Sequence, residues 1–255
     1  MQRDSKNPAF SGGVFASVQS VQSQALHKQR IWVIIQDMSK IRNHAPEEYY
    51  HIYNRGMQKQ PIFKTDKDRL RFLFLLLVFQ GKNSIKNISR ELKQNVQSQA
   101  LHIRGDLEKE ILENRIVELV SFCLMPNHFH LQVLEKTEGG IAKYIQRVLT
   151  AYAKYFNVRH QKSGHLLQGP YQSVLMEDDR QLMHASAYIH KNPCELRGWK
   201  RKEDKYPWSS LQDYISQNRF GRLLSTGIIL GRYDNEEKGL GYRNFFETSV
   251  AKEKL

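Results

Sequence analysis

The stretch Met125-Pro126-Asn127-His128-Phe129-His130-Leu131-Gln132-Val133 sets two histidines around one bulky apolar residue. That spacing suits a β-strand, whose side chains alternate between faces. His128 and His130 then point the same way, Phe129 turns into the core, and Gln132 continues the polar row. Two imidazoles on one face can share a metal ion; a half-buried polar face without a ligand is the competing reading. The preceding run from Ile116 to Leu124 predicts a second strand, and the tight Met125-Pro126-Asn127 connection brings the histidine pair to the head of its own strand.

Downstream, Asp179 to Asn192 reads as a helix. Leu182, Met183, Ser186, Ile189 and His190 have mixed helical spacing, and Pro193 supplies the stop. Tyr188 and Asn192, four residues apart, share one face of that helix. A phenol one turn from an amide, opposite a strand with paired histidines, has the arrangement of a nucleophile beside a metal ligand. For a tyrosine taken alone, core packing with Asn192 capping the helix end explains the pattern as well.

The flanking sequence supplies the rest of a sheet. Tyr49 to Asn54 alternates in the manner of a half-buried strand and ends in an Arg55-Gly56 turn. A helix is expected from Thr65 or Asp66, a fitting N-cap, through Phe79 to a Gly81 stop; its apolar run Leu73 to Phe79 is too short to span a membrane and reads as core. Residues 82–114, rich in Lys, Gln and Asn, look like an enlarged connection. Gly139-Gly140 leads into a long helix with Ile141, Ile145, Val148, Leu149, Tyr152 and Phe156 on its apolar face and Lys143, Arg147, Lys154 and Arg159 elsewhere. Tyr171 to Met176 completes a β-α-β-β-α-β order. That order predicts an α+β, ferredoxin-like antiparallel sheet with helices packed on one face.

The chain has 255 residues and a formal net charge of +13. This is long enough for one domain with extensions, and it favours a polyanionic partner. Charge alone suits ribosomal or membrane-surface proteins equally well. No apolar run approaches the ~20 residues of a membrane span, and the amino terminus lacks the apolar core of a signal peptide. Cys123 and Cys194 form neither a metal-ligand spacing nor an evident disulfide framework, so a reducing cytoplasm is the expected setting. Residues 1–45 begin rich in Ser, Gln and Gly, hold one compact apolar run from Ile31 to Ile35, and read as a poorly ordered extension. The heptapeptide Val21-Gln22-Ser23-Gln24-Ala25-Leu26-His27 recurs unchanged as Val96-Gln97-Ser98-Gln99-Ala100-Leu101-His102. Two copies do not make a repeat architecture. A short nucleotide element translated in frame is one origin, and chance or local duplication of a polar helix is the other.

A series of motifs in order resembles one family. These are Tyr50-His51-Ile52-Tyr53-Asn54-Arg55-Gly56, Cys123-Leu124-Met125-Pro126-Asn127-His128, Leu149-Thr150-Ala151-Tyr152, Ser163-Gly164-His165-Leu166-Leu167-Gln168-Gly169, Tyr188-Ile189-His190-Lys191-Asn192-Pro193 and Tyr206-Pro207-Trp208-Ser209-Ser210. His128-Phe129-His130 is similar to the signature of the HUH single-tyrosine transposases, and the whole series resembles the REP-associated tyrosine transposases within them. The chain departs from that pattern at Gly169-Pro170, where many members carry an arginine.

The resemblance implies an HUH endonuclease fold over residues 46–215, with 1–45 and 216–255 as extensions. It implies Tyr188 as the catalytic nucleophile, and His128, His130 and Asn192 as ligands of a divalent ion, Mg2+ or Mn2+. The partner it implies is single-stranded DNA carrying hairpin-forming repeats, cleaved and rejoined through a 5′-phosphotyrosine; a homodimer, with Tyr188 acting in its own subunit or the partner's, is left open. Candidate DNA contacts are Arg55, Lys143, Arg147, Lys154, Gln168, Arg197, Lys200, Arg201 and Trp208. For the cluster after Pro193, which also contains Lys202 and Lys205, a solvated face with a packed Trp is the alternative. Three other function classes compete: a non-catalytic nucleic-acid-binding module, a rolling-circle HUH nuclease, and a metal hydrolase that uses Tyr188 only to bind. The intact His128, His130, Tyr188 and Asn192 set argues against the first, and the lack of a recognisable helicase region against the second. Survival of a protein–DNA adduct through denaturation separates the third.

Overall fold

The computed structural model describes residues 44–83, 91, 95, 101–233 and 238–249. Residues 1–43 of the expected extension, the first copy of the heptapeptide and residues 96–100 of the second lie outside the described residues. Four antiparallel strands form one sheet: β1 (Tyr49–Arg55), β2 (Val117–Met125), β3 (His128–Glu135) and β4 (Gln172–Met176), in the order β2-β3-β1-β4. The histidine strand β3 is therefore interior, paired with β1 on one side and β2 on the other.

Alternation along β3 sorts its side chains as its sequence pattern predicts. Phe129, Leu131 and Val133 enter one core with Tyr50 and Ile52 of β1, covered by helices α1 (Asp66–Val78) and, after the short helix α2 (Gly105–Glu113), α3 (Gly140–Arg159). The second half of α1, from Phe72 on, is apolar all round, and Leu73 to Phe79 is buried, as suits a helix end enclosed on several sides. Thr65 caps it: the Asp68 amide donates to Thr65 Oγ1 (3.3 Å) while the Asp68 carboxylate accepts from the Thr65 amide (2.9 Å), a capping box worth about 1 kcal/mol. The α3 face is as expected, with Tyr144 added and Leu149 only partly buried. The buried Glu135 carboxylate accepts from the Gly140 and Ile141 amides at 3.0 and 2.7 Å. The end of β3 thus places a negative charge on the amino terminus of α3.

The other sheet face is covered as well. Helix α4 (Asp179–Lys191) crosses it, followed by α5 (Leu211–Ile215), α6 (Gly227–Leu230) and α7 (Lys238–Thr248). Leu134, Met176, Leu182, Tyr214, Ile229 and Tyr242 share this second core. Within the stretch 216–255, read from sequence as an extension, Leu223, Leu224, Ile229 and Tyr242 are buried; α6, at four residues, is too short to show a helical period. Among the described residues no helix is long and apolar enough to cross a membrane.

Strand β2 reaches both cores through a β-bulge. Leu119 pairs with Val133, and Ser121, not Val120, pairs with Gln132. The extra residue Val120 shifts the alternation, so that Leu119, Phe122 and Leu124 face α1 and α3 while Val120, Cys123 and Met125 face the other way. Polar groups around the bulge are satisfied: the Leu119 amide by Gln80 Oε1 (3.0 Å), its carbonyl by the Ser225 amide (2.9 Å), and the Val120 carbonyl by the Tyr214 hydroxyl (2.7 Å). The outer edge of β2 is closed by residues 206–210, with Leu124 N donating to Trp208 O and Ser210 N to Phe122 O. This covers an edge that would otherwise invite pairing with another chain.

Candidate active site

The β1–β3 register sets Arg55 opposite His128, Tyr53 opposite His130 and His51 opposite Gln132. On the other flank Met125 faces His128 and Cys123 faces His130. One sheet face thus carries a polar row, and the Arg55-Gly56 turn is sewn to the connection before the histidines. Gly56 N donates to Asn127 O (2.8 Å), and the Ile62 and Phe63 amides to Pro126 O. A Cβ on Gly56 would lie 2.1 Å from the Gln60 carbonyl oxygen, so only glycine fits this turn.

Helix α4 lies over that row. Gln132 Nε2 donates to the Leu182 carbonyl (2.9 Å), and Asp178 caps the helix by accepting from the Gln181 amide. One turn before the end of α4, the Tyr188 ring stands edge-on to His130 (centroids 5.6 Å apart) and to His51 (5.8 Å). The His128 and His130 rings lie 5.1 Å apart, centroid to centroid. His128 Nδ1 lies 2.7 Å from Asn127 Oδ1, and His130 Nδ1 lies 2.9 Å from His51 Nε2. Asn192 is fully buried, its Nδ2 donating to the Tyr188 and Ile189 carbonyls at 3.0 and 3.2 Å. That contact engages the amide nitrogen, so a ligand role falls to Oδ1.

Burial, followed by the charges of Glu195 and Tyr53, raises the Tyr188 phenol to about 12, with Arg55 acting in the opposite direction. The shift from the usual value near 10 corresponds to about 3 kcal/mol against the phenolate. The side chain is a protonated phenol at neutral pH and requires positive charge nearby to react as an oxyanion.

The donors fit a divalent ion that accepts imidazole nitrogen together with oxygen. His128 and His130 present two imidazoles on one face. Among the described residues no group of three or more His, Cys, Asp or Glu gathers as a metal cage, so further ligands would be oxygens, from Asn192 and from substrate.

The expected DNA contacts divide by position. Arg55 is exposed at the end of β1, opposite His128, and the Gln168 amide donates to its carbonyl (2.8 Å). The loop carrying Gln168 is pinned there, with Asn54 Nδ2 donating to Gly169 O. Gly169, of the Gly169-Pro170 pair, adopts a left-handed φ of 72°. Arg197, Lys200 and Arg201 are exposed on the segment that leaves α4. Lys143, Arg147 and Lys154 are not brought to the cluster: α3 lies on the opposite face of the sheet. Arg147 donates to the Gly81 and Asn83 carbonyls and stacks on Phe79. Trp208 is partly buried at the β2 edge with the Arg69 guanidinium over its ring.

Three residues that sequence reasoning did not single out belong to the cluster: His51, Tyr53 and Asn127. The alternation His51-x-Tyr53-x-Arg55 signalled a shared face on β1. Only the strand register put that face beside the histidines.

A family model described as IS200-like transposase matches residues 46–192, more than half of the chain and inclusive of His128, His130, Tyr188 and Asn192. A solved structure described as the REP-associated tyrosine transposase bound to a REP hairpin aligns with 14% sequence identity and a TM-score of 0.44, covering 70% of this chain and 86% of that one. No curated protein matches the sequence. With the histidine pair on an interior strand, the tyrosine helix packed across it and a family match over both, the chain belongs to the IS200-like transposase family.

Proposed function

We propose that this protein cleaves and rejoins single-stranded DNA through a 5′-phosphotyrosine on Tyr188, assisted by a divalent ion, Mg2+ or Mn2+, held by His128, His130 and Asn192. Family membership assigns the chain to DNA transposition or processing. The observation that carries the finer reading is the packing of the Tyr188 ring against His130 of the same chain, which supports action within one subunit.

When bound, the ion supplies positive charge at a non-bridging oxygen of the scissile phosphate. Tyr188 Oη attacks phosphorus and loses its phenolic proton to solvent, the bond to the 3′-oxygen breaks, and that oxygen takes up a proton from solvent to leave as a 3′-hydroxyl. Arg55, which favours the Tyr188 phenolate, stands where it can hold the substrate backbone. The covalent linkage keeps the phosphodiester energy, so attack by another 3′-hydroxyl rejoins strands without ATP. The resemblance carried by the motif series points to hairpin-forming repeats as substrate.

The test is incubation of the protein with end-labelled single strands from the flanks of its gene plus Mn2+, followed by denaturing electrophoresis. A labelled species that migrates with the protein and disappears on proteolysis is expected. Cleavage that leaves a 5′-phosphate with no adduct at any time would refute the mechanism. Binding without cleavage would favour a non-catalytic module.

A further inference from the structure

The two histidines each contact a neighbour through Nδ1, and the chemistry of those neighbours constrains where the imidazole hydrogens sit. Asn127 Nδ2 donates to the Lys59 carbonyl at 3.1 Å. The orientation of the amide is thereby fixed, and the atom facing His128 Nδ1 at 2.7 Å is the carbonyl oxygen Oδ1. An amide oxygen only accepts hydrogen bonds, so the imidazole nitrogen must be the donor. A neutral imidazole has one ring hydrogen; with it on Nδ1, the lone pair is on Nε2. The opposite tautomer would set two lone pairs against each other at hydrogen-bond distance.

The Lys59 carbonyl is itself held in place by local backbone geometry. Gln58 and Lys59 both adopt left-handed φ values, 52° and 60°, and the Lys59 amide donates to Gly56 O. The motif turn at Arg55-Gly56 therefore reaches His128 through Lys59 and Asn127.

For His130 the partner is another imidazole. His51 Nε2 lies 2.9 Å from His130 Nδ1, with the rings 23° from parallel, and both residues are buried. One nitrogen of this pair donates and the other accepts. When His130 donates from Nδ1, its Nε2 carries the lone pair on the same side chain that meets Tyr188. When His51 donates, His130 Nε2 carries the hydrogen and is unable to ligate a metal.

We infer that Asn127 and His51 are positioning residues that fix the Nδ1–H tautomers of His128 and His130, so that both Nε2 atoms present lone pairs to a divalent cation. The His128 tautomer follows from the Asn127 amide alone, whereas the choice of His130 as donor to His51 rests on the metal-centred reading above; both are read in the metal-free protein. Partners of this kind tune a ligating histidine, and their loss typically lowers metal affinity by about 10–100-fold.

The experiment uses the full chain with 15N-labelled histidine, free of metal. Long-range 1H–15N correlation spectra distinguish a nitrogen carrying hydrogen from one carrying a lone pair, and His128 and His130 should both show hydrogen on Nδ1. Mn2+ binding, followed by electron paramagnetic resonance, should weaken about 10–100-fold in Asn127→Leu and in His51→Leu. His51→Gln, which restores an acceptor oxygen without adding charge, should recover affinity; a purely space-filling role would not separate it from the leucine variant. Hydrogen on Nε2 of either histidine in the wild-type protein would overturn the inference, as would unchanged Mn2+ affinity in both leucine variants. The stated tautomers in a wild-type protein that binds no Mn2+ would confirm the tautomer assignment and overturn the metal reading instead.

Discussion

Tyr188 is one of twelve tyrosines in the chain, and what distinguishes it is position. Tyr144, Tyr152, Tyr214 and Tyr242 are fully enclosed in the cores, with hydroxyls committed to the Leu76, Ile62 and Val120 carbonyls and to Ser186. Tyr188 is half-buried and meets the histidine row. Tyr188→Phe keeps the ring and its packing, so folding stability should change by less than about 1 kcal/mol and DNA affinity should persist, while cleavage and adduct both disappear. Denaturant titration, strand binding and mass spectrometry of the adduct check the three parts; an adduct on Tyr152 or Tyr171 would overturn the assignment. His128→Ala or His130→Ala should likewise abolish cleavage with single-strand binding largely intact, since binding is distributed over phosphate contacts and stacking. Undiminished cleavage in EDTA would contradict the metal's role.

At the scale of elements, α4 is clamped from both sides by one buried hydrogen-bond chain. His190 Nε2 lies 2.7 Å from Ser210 Oγ, which accepts from the Phe122 amide of β2. His190 Nδ1 lies 2.7 Å from the Tyr242 hydroxyl of α7, which donates to Ser186 Oγ of α4, which donates to Met183 O. A neutral His190 donating from Nδ1 to the Tyr242 hydroxyl accepts at Nε2 from Ser210 Oγ, whose hydroxyl hydrogen is shared with the Phe122 carbonyl 3.2 Å away, and burial pushes the His190 pKa down to about 3. Two turns of α4 are thus tied to the sheet and to the C-terminal helix. Tyr242→Phe removes the hydroxyl and leaves His190 and Ser186 each short of a buried partner, a loss of roughly 1–3 kcal/mol. Urea denaturation measures it; an unchanged midpoint would mean that α7 does not hold α4.

At the scale of the whole molecule, packing of the core reaches into the stretch that composition marks as tail. His44 is buried, with Nε2 2.8 Å from Ser173 Oγ and its ring edge-on to Tyr50 at 4.6 Å. Deleting residues 1–43 should preserve soluble expression and strand cleavage. Deleting 1–45 should cost about 1 kcal/mol more through loss of the His44 contacts, read as a lower denaturation midpoint. An insoluble or inactive 44–255 protein would show that the apolar run from Ile31 to Ile35 belongs to the core or the site.

Periodicity in the sequence was enough for the elements that carry the chemistry. Period-two alternation put His128 and His130 on one face, because strand side chains alternate whatever lies next to them. Four-residue spacing put Tyr188 and Asn192 on one helix face, and Thr65 marked the start of α1 through local capping chemistry. Contacts between distant segments were decided only by the tertiary structure. Strand register made His51 and Tyr53 neighbours of the histidines. The bulge at Val120 set which β2 residues face the site, a one-residue shift that reverses every side chain after it. The placement of α3 behind the sheet separated Lys143, Arg147 and Lys154 from Tyr188, although their charges read the same in the sequence as that of Arg55. The short helices α5 and α6 and the buried Tyr242 gave no local signal, since their burial depends on the second sheet face that they cover and not on any period of their own.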